Sequence, residues 1–161
     1  MGLMNYRVEI DGQGFAGALN RALAAAQDMT PLMDDIAGIL EDEAQSAFRE
    51  ERSPEGDGWA RLSQVTIALR EKSGHWPGQI LQRSGRLAQS ISTQVTPTSA
   101  TVGTNVIYAA VQQFGAARRE FKGVAPWGRI PARPFLGLSE DGRDEIRDLA
   151  ERYVADAFGG V

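Results

Sequence analysis

Two prolines within four residues limit this chain more than any other feature. They lie in the stretch Arg129-Ile130-Pro131-Ala132-Arg133-Pro134-Phe135-Leu136-Gly137. Each proline fixes φ and removes a backbone donor, and each pushes the residue before it, Ile130 and Arg133, towards an extended conformation. The stretch can be neither helix nor central strand. It predicts a stiff extended segment, at most an edge strand, with Phe135 and Leu136 as apolar anchors and Gly137 turning into the last helix. A loop over 115–129 precedes it. The window 115–135 holds Arg118, Arg119, Lys122, Arg129 and Arg133 against only Glu120, interleaved with Phe121 and Trp127.

Apolar spacing sets the other elements. Residues 4–10 alternate, with Met4, Tyr6, Val8 and Ile10 on one side, and predict a strand. Phe15, Ala18, Leu19, Ala22 and Leu23 predict an amphipathic helix over about 14–28. Thr30 as N-cap and Pro31 as first helical residue open a longer helix over about 31–52. It carries Leu32, Ile36, Ala44, Ala47 and Phe48 inward and an acidic face outward. The glycine-rich loop 53–59 brings Trp59, with Leu62, back onto the core. Ser63 or Thr66 caps a short helix through about 72, and Ser84 caps another through about 90. Residues 91–96 and 100–103 predict a hairpin around Pro97-Thr98-Ser99. Residues 105–114 predict a helix with Ile107, Tyr108, Val111 and Phe114 inward, stopped by Gly115. Ser139 caps the final helix, whose inner stripe is Ile146, Leu149, Ala150, Tyr153, Val154 and Ala157. The expectation is a single α+β domain over 1–161. In it a small antiparallel sheet packs against two long N-terminal helices and a C-terminal helix.

Composition narrows the chemistry. The absence of cysteine removes disulfides and thiolate metal sites. With one histidine, His75, a transition-metal site would need mostly carboxylates. Glu41 and Glu43 are two apart on a helix and point to different faces. The loop 53–59 lacks the ligand spacing of a calcium loop, and no nucleophile elbow or phosphate-binding glycine motif occurs. The residues predict no catalytic site, no cofactor and no metal. No apolar run approaches the roughly 20 residues needed to span a bilayer. The first ten residues lack the basic-then-apolar pattern of a secretory signal. The net charge of −4 opposes nucleic-acid binding by the whole chain. Charge is uneven, however: residues 1–80 carry 7 basic and 13 acidic side chains, and residues 81–161 carry 10 and 8. An acidic half and a basic loop suit contacts between copies.

Several separate stretches, in order, resemble the phage virion morphogenesis family, the tail-completion or head–tail joining proteins of Mu-like and related tailed phages. They begin with Pro54, Gly56, Gly58, Trp59 and Leu62, then Thr66 and Lys72, Ile80-Leu81, Ser84-Gly85 and Leu87. Val102-Gly103-Thr104-Asn105, Tyr108-Ala109, Gln113-Phe114-Gly115 and the run from Ile130 to Gly137 follow. The pairing of Gln113-Phe114-Gly115 with that last run is the most specific part.

The resemblance implies structural work rather than catalysis. It implies a neck protein, assembled in the host cytoplasm, that completes the tail or joins head to tail in the virion. The partners so implied are other copies in a ring, a hexamer by analogy, together with neck or connector proteins and the tail tube protein. Genome DNA would pass through the ring unbound, and no membrane is involved. Arg118, Arg119, Lys122, Trp127, Arg129 and Arg133 are the expected contacts for a neighbouring subunit or neck partner. A local salt bridge to a helix carboxylate is the rival role for Arg133. The alternative function is a nucleic-acid-binding module using the basic aromatic loop over 115–133.

Overall fold

The computed structural model describes residues 12–117 and 129–159. The predicted strand over 4–10 and most of the basic loop lie outside them. Helix α1 spans Gly12–Gln27 and α2 spans Thr30–Glu50. Between them the Asp28 carboxylate accepts the Thr30 N–H at 3.0 Å. Asp28, rather than Thr30, therefore supplies the capping oxygen. Thr30 is already helical, and its own N–H is one of the orphan donors at a helix start. Glu51 ends α2 in the left-handed region, at φ 55°, with its N–H on the Ala47 carbonyl.

The inner face of α2 is the floor of the core. Ala44, Ala47 and Phe48 are buried there with Trp59, Ile80, Leu87, Ile91, Val106, Ala109 and Phe135. Phe48 meets Trp59 edge-on, with centroids 5.7 Å apart, and lies 5.1 Å from Phe135. The loop after α2 closes through an Arg52–Gly58 bridge and returns Trp59 to the core. The indole N–H then donates to the Pro134 carbonyl at 2.8 Å.

Ser63 caps α3 (Gln64–Lys72) by accepting the Thr66 N–H. Helix α4 is a single turn, Arg86–Gln89, entered through Gly85 at φ 72°. The N-cap position is thus this glycine, while Ser84 Oγ accepts the Arg86 N–H at 3.5 Å. Strands β1 (Ile91–Thr96) and β2 (Ser99–Thr104) form the predicted hairpin, from Ile91 opposite Thr104 to Thr96 opposite Ser99. The two-stranded sheet lies on α2, while α1 packs on α6 (Glu140–Gly159). The Tyr153 hydroxyl sits within hydrogen-bonding reach of the Ala25 and Asp28 carbonyls and ties α6 to the end of α1. Ser139 caps α6 as expected, accepting the Gly142 N–H and donating to Glu43 on α2. Most of the predicted α6 stripe is at least half covered, but Val154 is exposed.

The helix expected over 105–114 is shorter and turned. A turn held by Val106 N–H on Thr104 Oγ1 and Ala109 N–H on the Val106 carbonyl delays its start, so α5 is Ala109–Phe114. Val106 and Ala109 face the core instead, and Ile107 is 98% and Phe114 79% exposed. With Ala109 inward, the residue four positions on, Gln113, shares its face.

Gln113 explains the proline-rich stretch, which crosses the core as a strap without becoming a strand. Its side-chain oxygen accepts the N–H groups of Phe135 and Leu136 at 2.9 and 3.0 Å. Its amide donates to the Leu136 carbonyl at 2.7 Å. The Gln112 carbonyl takes the Arg133 N–H at 2.7 Å, and Ala116 pairs with Ile130 in both directions. Prolines at 131 and 134 have no donor to satisfy. Gly115, at φ 71°, lies so close that a Cβ there would stand 2.7 Å from the Ala132 nitrogen.

Candidate functional site

One side of the strap walls a groove of about 610 Å³. Arg61, Arg70, Arg83, Arg129 and Arg133 line it, and among the described residues no carboxylate does. The other lining residues are apolar or neutral, including Leu62, Leu81, Ile130, Pro131, Tyr108, Ser63 and Thr66. The arginines come from four places: the loop before α3, the outer end of α3, the turn before α4, and the strap. Among the described residues the side-chain ion pairs are Arg52–Glu50 and Arg147–Asp144, both elsewhere.

Two of the five guanidinium groups are fixed within the chain. Arg70 is buried, and its Nη1 donates to the Gln79 carbonyl at 2.8 Å. Arg133 is only 6% exposed; its Nε donates to the Ala60 carbonyl at 2.8 Å and its Nη2 to that of Arg61 at 3.2 Å. These bonds use donors but leave the charges uncancelled. Burial pulls the Arg70 pKa down first, Arg83 adds to that, and Glu51 opposes it. Burial and then Arg70 lower that of Arg133. Both remain cations at neutral pH, because arginine starts so far above it. The groove thus holds like charges side by side, with Arg61, Arg83 and Arg129 exposed at its surface.

A second groove, of about 370 Å³, lies between α2, the loop after it and the start of α6. Its charged lining is Asp42, Glu43, Glu50, Asp141 and Glu145 against Arg52. The strap runs from one groove to the other. Ile130, Pro131 and Arg133 wall the basic groove, Phe135 is fully buried, and Ser139 walls the acidic one.

Of the expected contact residues, Arg118, Arg119, Lys122 and Trp127 lie outside the described residues. Arg129 and Arg133 come together in the basic groove. Arg133 departs from the salt bridge foreseen as its rival role. Its guanidinium bonds two carbonyls rather than a helix carboxylate, while the residue lines the groove. Arg61, Arg70 and Arg83 were not foreseen. Their signal was present as basic residues flanking each short element between 61 and 86, but the acidic total of the first half concealed it. His75 is exposed and pairs with Ser73 Oγ at 3.1 Å, outside the groove lining. Among the described residues no group of three or more His, Asp or Glu could hold a metal ion. No helix among them is long and apolar enough to cross a membrane.

The markers that order the sequence are those that build this framework: Trp59 on Pro134, Gln113 on 135–136, Gly115 against Ala132, and Phe135 in the core. The phage virion morphogenesis family matches over residues 10–155, which includes all of them. The chain belongs to the phage virion morphogenesis family. This virion morphogenesis protein is 36% identical over 125 residues to protein G of Escherichia phage Mu, whose name assigns that protein to capsid assembly; the match covers 76% of this chain and 78% of the Mu protein. It is 33% identical over 138 residues to the Mu-like prophage FluMu G protein 1 of Haemophilus influenzae, covering 84% and 86% of the two chains. The FluMu G protein 2 of the same organism is 32% identical over 148 residues, covering 91% and 94%. No solved structure matches significantly. A role in building the phage virion follows from the family.

Proposed function

We propose that this protein completes the tail or joins head to tail at the neck of the virion, as one subunit of a ring around the DNA channel. The observation that carries this reading is the pair of grooves of opposite charge at the two ends of one strap. A subunit with two different, complementary patches suits head-to-tail contacts that close into a ring. The acidic surfaces can border passing DNA without holding it, since like charges repel. Deleting the gene should leave filled heads and finished tails that fail to join, counted by electron microscopy of lysates. Normal infectious particles from the deletion would overturn the proposal.

A second reading has one observation in its favour: five arginines, with no lining carboxylate among the described residues, also suit phosphate groups. Its measure is a gel shift that strengthens as salt falls. The aliphatic lining from Leu62, Leu81, Ile130 and Pro131 favours a protein partner.

A further inference from the structure

We propose that the arginine groove is the seat for the acidic helix α6 of a second copy of this chain. This rests on the reading that copies assemble with one another, and it names the surfaces they use.

The groove brings Arg83, Arg70 and Arg133 together; Arg83 disfavours the charge of Arg70, and Arg70 that of Arg133. Such clustering costs free energy; Glu51 offsets part of it at Arg70, and no side-chain ion pair among the described residues reaches into the groove. The cost falls when an outside surface brings the opposite charge. The lining shows what kind of surface. Leu62, Leu81, Ile130, Pro131 and Tyr108 line the groove among the arginines, and Tyr108 is 43% exposed. Apolar side chains set into a charged groove suit contact with protein. Phosphate contacts alone would leave the aliphatic side chains of the lining uncovered.

Helix α6 has the matching chemistry. It carries seven acidic and three basic residues. All seven carboxylates are exposed, and Arg147 is already paired with Asp144 at 2.7 Å. Towards its end Val154 and Phe158 are 53% and 54% exposed. The helix therefore offers a convex, acidic and partly apolar ridge to a concave, basic and partly apolar groove. Helix α6 contributes nothing to the lining of the arginine groove. One copy can thus receive a neighbour at its groove and present α6 to another.

The test uses the full chain in sedimentation velocity, with far-UV circular dichroism to check folding. One variant carries Arg83→Glu and Arg129→Glu; the other carries Asp148→Arg and Glu151→Arg. All four positions are exposed. Wild type should self-associate, and each variant alone should do so at least about tenfold more weakly, as like charges would now meet. An equal mixture should recover association, because the unaltered groove of one variant meets the unaltered α6 of the other. A wild type that stays monomeric at submillimolar concentration would overturn the proposal. So would variants that associate as well as wild type, or a mixture without recovery. Binding of a short DNA duplex that is lost in the Arg83→Glu, Arg129→Glu variant would reassign the groove to phosphate. The deletion phenotype is read separately. Unjoined heads and tails together with failed recovery would remove this interface and leave the neck role standing.

Discussion

Gln113 does for the strap what a neighbouring strand would do. Its amide satisfies two donors and one acceptor of residues 135–136, beside the fully buried Phe135 ring. Gln113→Ala leaves those three backbone groups without their partner, and the expected loss is about 3 kcal/mol. A lower urea midpoint with an unchanged slope would show it; an unchanged midpoint would mean that water replaces the amide at no cost. The sequence marks Gln113 and Gly115 as a conspicuous pair ahead of the strap, but not why they matter. A side chain bonding backbone 22 positions away leaves no periodic trace. Arg133 misleads for a related reason. An arginine between two prolines looks exposed, and only the folded loop at 60–61 supplies the carbonyls that turn it inward.

The elements were legible in proportion to their periodicity. The long helices α1, α2 and α6 and the hairpin stand close to where the apolar spacing puts them. Helix α5 does not, since a turn that costs three or four residues rotates the whole stripe and exchanges Phe114 for Gln113 on the inner face. The cap of α2 differs by a smaller step: Met29 holds the N-cap position, and the capping oxygen comes from Asp28 rather than Thr30. Hydrogen bonds from the Thr30 hydroxyl and then its N–H hold the Asp28 pKa below the ordinary value. A depressed carboxyl stabilises the fold while ionised. This contribution is complete above the unfolded aspartate pKa of about 3.9 and is lost as pH falls through the lower folded value. The Asp28 carboxyl carbon, followed by NMR, should titrate below a peptide reference. A midpoint at or above that reference would show that the cap does not form in solution.

For the whole molecule, what could be read in advance was the class, α+β, and the uneven charge. The groove itself could not. Its arginines are scattered over residues 61–133, and those in the first half are outnumbered there by carboxylates. Folding gathers what counting averages away. The gathered charge predicts a salt dependence. Raising sodium chloride from about 0.05 to 0.5 M shortens the screening length from roughly 14 to 4 Å. Self-association should weaken on the order of tenfold, read as a shift in weight-average sedimentation coefficient. Association indifferent to salt would leave the apolar lining alone as its cause. One last consequence belongs to the Ala116–Ile130 bridge. It ties the two ends of the intervening segment together at the edge of the core. Whatever lies between can then lengthen at a cost of only about 0.6 kcal/mol per doubling. New sequence inserted between those ends leaves the contacts of Trp59, Gln113 and Phe135 in place, so it can be tried without renegotiating the core.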